Sequence, residues 1–229
     1  MTTTTKPDAA QLPTKSIDIL QTQPSLFFAN LQPILLLGTL LFSFRSLVAN
    51  PVTTLLGLAP TTAIVQTIYC VVCLPSTDDT APPATKPGQK KKPQKQGQDV
   101  WAKVIPVFLS FTLTAVLSAP LLYIIVILFG APLTTHHLRT LLLALHLALL
   151  TTPHLYYAHG LDAPAWLRIA SLQSPVDEVY GMSLGACVGA WLGAIPIPLD
   201  WDREWQKWPV TVVVGMYVGA AVGNNTRLS

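Results

Sequence analysis

The chain has 229 residues, of which 51% are hydrophobic and only 11% charged; a soluble domain of this size carries about 25% charged residues. Its net charge of +3 is small, and six of its 14 Lys and Arg residues fall between Lys86 and Lys103, which excludes a broad basic face for nucleic acid. The apolar surface must therefore face lipid, and the fold class is an all-α polytopic membrane protein with about six transmembrane helices and short interfacial helices.

Residues 1–26 are rich in Thr, Pro and Gln without an apolar period, which predicts a disordered cytosolic leader. A transmembrane hairpin follows over 27–74. Its two apolar stretches, 31–49 and 52–74, are joined at Asn50-Pro51, a turn signal, and the second holds no charge over a length that exceeds the ~30 Å hydrocarbon core. Five prolines and five lysines then break the pattern across 75–102, a flexible cytosolic linker that cannot bury enough surface to order itself. A four-span bundle over 103–229 completes the chain.

The third span covers 104–129, with Pro106 in its first turn and Pro120 predicting a kink at its middle. The fourth covers 138–157, with Arg139 snorkelling at its start and His146 and His154 inside it. Those two histidines lie about 80° off a common helix face. They form no obvious ligand pair, so interhelical hydrogen bonds are the plain reading and proton or headgroup handling the alternative. Residues 162–173, with Trp166 and Leu167 beside Arg168, read as an interfacial helix. The fifth span, to about residue 195, opens on Ser174-Pro175-Val176-Asp177, in which Ser174 is the expected cap and Asp177 the acid reaching back. The sixth, 210–223, is only ~21 Å long as a helix and needs Trp205 to Pro209 to complete its crossing.

Counting Lys and Arg across this topology, with the N-terminus cytosolic, places ten on the cytosolic side and four opposite. The positive-inside rule then puts both termini in the cytosol and the 196–208 loop in the lumen. Asn224-Asn225-Thr226 is a glycosylation sequon, expected to stay bare on the cytosolic side. Cys70 and Cys73, with Cys187, are too few and too apolar in context for a disulfide framework or a zinc site; apolar packing and palmitoylation both remain open.

Two features go beyond hydropathy. Gly181, Gly185, Gly189 and Gly193 recur every four residues, as do Gly215, Gly219 and Gly223 in the next span. Such ridges let helices approach closely, either these two against each other or one of them against a helix of another protein, with Ala186, Ala190 and Ala194 widening the first face. In the luminal loop, Trp201, Trp205 and Trp208 are spaced i, i+4, i+7, as three indoles on one face of a helix lying in the headgroup layer. Asp200 and Asp202 would cap that helix, or hold a divalent metal; the capping reading is preferred and no metal site is assigned.

The run Gly189-Ala-Trp-Leu-Gly-Ala-Ile-Pro-Ile-Pro-Leu-Asp-Trp-Asp-Arg203, followed by Trp205-Gln206 and Trp208-Pro209 and preceded by Ser174-Pro-Val-Asp-Glu-Val-Tyr-Gly181, resembles the signature of the PIG-F family of glycosylphosphatidylinositol (GPI) anchor biosynthesis, in a fungal-type form. Glu204 stands where that signature has proline. The resemblance implies a multi-pass endoplasmic reticulum protein without cofactor. Its role would be that of non-catalytic partner to PIG-O-like and PIG-G-like ethanolamine phosphate transferases, which add phosphoethanolamine to mannoses of the anchor precursor. It makes Pro196, Pro198, Asp200, Trp201, Asp202, Arg203, Trp205 and Trp208 the partner or lipid-headgroup contacts. The alternative is a small membrane enzyme or lipid carrier acting on phospholipid or GPI headgroups through the Asp200-Trp201-Asp202-Arg203 loop; no catalytic residue is assigned, because no nucleophile stands in a recognisable context.

Overall fold

The computed structural model describes residues 16–75, 100–199 and 201–225. Residues 76–99 of the Lys/Pro-rich linker, the first 15 residues, Asp200 and the last four residues lie outside these, and the linker's expected end, 100–102, is already helical. Every regular element among the described residues is helical.

The N-terminal segment packs well before residue 26. Ile17 N–H donates to Asp177 Oδ2 at 2.9 Å, Leu20 N–H donates to the Cys73 carbonyl at 2.9 Å, and Ile19 is buried. Helix α1 (Gln23–Ala49) starts there, capped by Thr22 and carrying Pro24 in its first turn, where a missing N–H costs nothing. Gln32 is fully buried and bonded to Gln66 at 3.2 Å. Helix α2 (Pro51–Cys73) follows with no intervening loop, because Pro51 forces Asn50 out of the helical region while itself suiting a first turn.

Helix α3 comprises Val100–Leu113, a π-turn at Thr114–Ser118 and Ala119–Leu128. The disturbance predicted at Pro120 takes the form of that π-turn. Pro120 offers no N–H to the carbonyl four residues back, and the ladder widens, with Ala119 N–H reaching the Thr114 carbonyl five residues earlier. The fourth span is likewise in two pieces, α4 (His137–Thr151) and α5 (Pro153–His159), broken at Thr152 by the next residue's ring. Helix α6 (Ala163–Ala170) is the short exposed helix, pinned by Trp166 Nε1 donating to the Gly160 carbonyl at 2.9 Å. Helices α7 (Glu178–Ala194) and α8 (Val210–Gly223) complete the bundle.

Among the described residues, four segments are long and apolar enough to cross a membrane unaided: Gln23–Ala49, Pro51–Cys73, Lys103–Leu128 and His137–His159. The fourth is the bundle's central rod, with 83% of its most apolar window buried, against 17% for Lys103–Leu128, whose apolar face is left to lipid. Although α7 and α8 have only 17 and 14 residues, both run between the same two ends as the longer helices. At one end Asp177, before α7, holds Ile17, and Asn224, after α8, donates to the Ala29 carbonyl. At the other, Trp208, before α8, bonds Thr140 near the start of α4.

Two local expectations are corrected. The cap of α7 is Asp177, whose Oδ1 accepts from Tyr180 N–H at 2.8 Å, and Ser174-Pro175-Val176 lie outside the helix. The second oxygen of Asp177 is occupied by Ile17, which a local motif does not encode. The loop before α8 is not a helix bearing three indoles: only Glu204–Gln206 forms a single 3-10 turn. Asp202 has φ +48°, a left-handed backbone that no α-helix continues through, so Asp202 does not cap such a helix.

Candidate functional site

The glycines of α7 and α8 face one another in register. A Cβ built on Gly185 overlaps the Gly219 carbonyl oxygen, one on Gly189 that of Gly215, one on Gly193 that of Thr211, and one on Gly223 that of Gly181. At Gly189 it also stands 2.9 Å from the Gly219 Cα, so the two backbones touch without side chains between them, the arrangement that small residues permit where lipid supplies no hydrophobic drive. The alanines do not widen this ridge, since one residue's offset turns them 100° away: Ala186 is in the core, and Ala190 and Ala194 line a crevice toward α3. On the outer side of the pair, a groove of about 800 Å³ keeps the glycine edges as its floor. Val188, Leu192, Val218 and Val222 border it and are exposed.

The loop over 196–208 divides into a held half and a presented half, and the residue that holds it is Gln206. Its side-chain Oε1 accepts from Arg203 N–H at 3.0 Å, while Nε2 donates to the carbonyls of Pro196 at 2.8 Å and Leu199 at 2.5 Å. One buried amide thus closes the loop on itself. Trp208 fastens it to α4, its indole N–H donating to Thr140 Oγ1 at 3.1 Å and its carbonyl accepting from Arg139 Nη1 at 3.3 Å. Trp205 stacks obliquely on Trp201 with ring centroids 5.9 Å apart. Trp201, Asp202 and Arg203 are exposed, as are Pro198 and Glu204, which pairs with Lys207; Pro196 is half-buried.

Behind the site, polar side chains tie the helices together. Since the Leu55 carbonyl can only accept, His146 Nε2 donates to it at 2.9 Å. Nδ1 of the neutral ring then accepts from the Tyr217 hydroxyl at 2.9 Å, and that oxygen accepts from Thr62 Oγ1 at 2.6 Å. The chain joins α2, α4 and α8. Ser183 Oγ donates to the Thr151 carbonyl at 2.7 Å and accepts from His154 Nε2 at 2.7 Å, joining α7 to α4 and α5. Both histidines therefore make the interhelical bonds expected of them. Asn224 is 4% exposed, accepts from the Tyr69 hydroxyl at 3.3 Å and donates to Ala29, so its amide is already engaged in the interior. Cys70 and Cys73 are fully buried, which removes palmitoylation as a reading, while Cys187 is exposed.

Of the residues named from sequence, the glycines and the tryptophan loop are thus brought to adjoining parts of one helix pair. Gln206, Thr140, Tyr217 and Ser183 were missed as organisers. Gln206 alone carried a signal, a lone amide between two indoles.

This architecture defines an all-helical polytopic membrane protein in which a tightly apposed helix pair carries one closed, tryptophan-bearing loop at its end. Residues 31–227 match the family described as GPI biosynthesis protein family Pig-F, and the chain belongs to that family. It is 42% identical to glycosylphosphatidylinositol anchor biosynthesis protein 11 of Neurospora crassa over 91% of this chain and 76% of the relative. It is 38% identical to the protein of that name from Aspergillus fumigatus, over 95% of this chain and 84% of the relative. The mouse protein called GPI ethanolamine phosphate transferase, stabilizing subunit, is 41% identical over 47% of this chain and 51% of its own length. No solved structure matches.

Proposed function

We propose that the chain is the non-catalytic membrane subunit that stabilises PIG-O-like and PIG-G-like ethanolamine phosphate transferases during GPI-anchor assembly in the endoplasmic reticulum. The observation that carries this reading is the mouse relative's description as a transferase's stabilizing subunit. The helix pair supplies a physical means. The glycine ridges are consumed by packing on each other, so a partner's transmembrane helix seats on the outer groove bordered by Val188, Leu192, Val218 and Val222. The exposed Trp201-Asp202-Arg203 corner, with Pro198, then meets the transferase at the luminal surface, while Pro196, Trp205 and Trp208 hold the corner in place.

The test is loss of the chain from cells followed by rescue with Val188→Trp/Val218→Trp. On this reading the variant accumulates and folds, the transferase no longer co-purifies with it, and anchor precursors lack phosphoethanolamine. Full co-purification and modification with the groove filled would refute the docking face. Transfer of phosphoethanolamine by the purified chain alone would refute the non-catalytic role and favour the reading as a small enzyme.

A further inference from the structure

Helix α6 turns the wrong face outward for a helix in water. Ala163, Pro164, Leu167 and Ala170, three and four residues apart on one side, are all exposed, and Leu161 and Leu172 flank them. The three leucines are 65%, 71% and 69% exposed in chain order. Arg168, the one charged residue of the helix, is half-buried, as are Trp166 and Ile169, and Ala165 is buried. A surface helix of a soluble protein has the opposite polarity, with its charge outside. The turn that ends α6 adds to this. Gln173 N–H closes on the Arg168 carbonyl at 2.9 Å, a cap whose left-handed position falls to Leu172, with φ +59°. Glycine takes that position freely and leucine does not, yet Leu172 spends it on a side chain pointing out of the fold.

The level of this face identifies what covers it. The Trp166 indole donates to the Gly160 carbonyl, just past α5, and stacks on Tyr156, one turn back inside α5, with ring centroids 4.5 Å apart. The Tyr156 hydroxyl in turn pairs with Ser118 of α3 at 3.1 Å. On the other side the Tyr180 hydroxyl, from the first turn of α7, donates to the Ile169 carbonyl at 3.0 Å. Helix α6 therefore lies beside the last turn of α5 and the first turn of α7, not beyond them, and adjoins α3, whose apolar face is left to lipid. Its eight residues make ~12 Å of helix, too short to cross. An apolar face at that level, continuous with a lipid-facing helix, meets acyl chains, as in-plane helices do when sunk ~5–10 Å into the headgroup boundary.

We propose that residues 161–172 form an in-plane shelf set into the leaflet at the Asp177 end of the bundle, with phospholipid acyl chains covering Leu161, Leu167 and Leu172. Hydropathy groups Trp166, Leu167, Ile169 and Ala170 together, whereas the structure divides them: Trp166 and Ile169 go to the protein, Leu167 and Ala170 to the lipid. Asp162 and Gln173, exposed at the two ends, return the chain to the headgroups. The shelf is independent of which enzyme the chain assists.

The test uses the purified full chain with Cys187→Ser, in which Cys70 and Cys73 are buried, reconstituted alone in phosphatidylcholine nanodiscs with one nitroxide at a time. Collision with oxygen, which concentrates among acyl chains, is compared with collision with a water-soluble nickel chelate. Labels at Leu161→Cys, Leu167→Cys and Leu172→Cys favour oxygen over nickel, as does the exposed α3 reference Phe108→Cys, and labels at Asp162→Cys and Gln173→Cys reverse the ratio. Nickel access at the leucine positions equal to that at 162 and 173 places the face in water and overturns the proposal. Shielding from both reagents reveals a protein cover and overturns it equally. Should a label disturb the left-handed turn, the unsubstituted chain decides. A phosphatidylcholine with a diazirine near the glycerol end of its acyl chain then marks Leu167 and Leu172 on irradiation, and adducts on α3 with none over 161–172 sink the proposal.

Discussion

Single side chains do two kinds of work in this protein, and each is testable by removing one oxygen or one amide. The Thr62–Tyr217–His146–Leu55 chain places three side-chain links between helices that otherwise meet through apolar contacts. In a bilayer such bonds average about 0.6 kcal/mol and reach about 1.7. Tyr217→Phe is expected to cost about 1 kcal/mol in a reversible unfolding titration in detergent, and adding Thr62→Val should cost little more, since both act through the same hydroxyl. Strict additivity would mean that the hydroxyls act separately. Gln206 works in the loop, and Gln206→Leu leaves the Arg203 N–H and two carbonyls to water. Local opening near Arg203 should then ease by roughly 1.4 kcal/mol, read as about tenfold faster trypsin cleavage after Arg203 at an unchanged melting temperature.

At the scale of the element, glycine position matters more than glycine number. Gly189→Ala drives a methyl into the Gly215 carbonyl and forces α7 and α8 apart, a backbone displacement worth about 2–3 kcal/mol. Gly38→Ala, in α1, meets nothing within 4 Å and should be neutral or slightly stabilising, because alanine is the better helix former. The contrast, measured as thermal melting in one detergent, fails if the two variants melt alike. What sequence made legible divides along the same line. Glycine spacing is a helical property, so a 400° step marks a ridge before its partner is known, and charge-free runs of more than 20 residues announce their own solvent. The loop was misread because a spacing of i, i+4, i+7 is also what a chain shows when Pro196 and Pro198 have already broken it. Gln206 finds Pro196 and Leu199 through a turn that periodicity does not describe. Likewise, Asp177 serves a residue 160 positions earlier, and no local capping rule reaches that far.

For the whole molecule, the two bundle ends are chemically distinct, and this makes the six-pass reading vulnerable to a clean experiment. The Ile17–Asp177 and Leu20–Cys73 bonds mark one end, and the Arg139 and Thr140 contacts with Trp208 mark the other. The Asn224 sequon is a poor reporter of which end is cytosolic: its amide is buried against Ala29, so it stays bare whichever side it faces. Cysteine placement avoids the problem, because Cys70 and Cys73 are inaccessible and only Cys187 needs replacing by serine. In that background, Gln173→Cys, on the exposed stretch after α6, should react with a membrane-impermeant maleimide in sealed microsomes. Trp201→Cys, in the presented half of the loop, should react only after the vesicles are permeabilised. Reaction of both without permeabilisation would mean that α7 does not cross, and the opposite pattern would invert the orientation that the lysine and arginine distribution favours. The inverted outcome would also move the tryptophan corner to the cytosol, away from the luminal surface at which the proposed function has it meet the transferase, so the same pair of labels bears on that proposal as directly as on the fold.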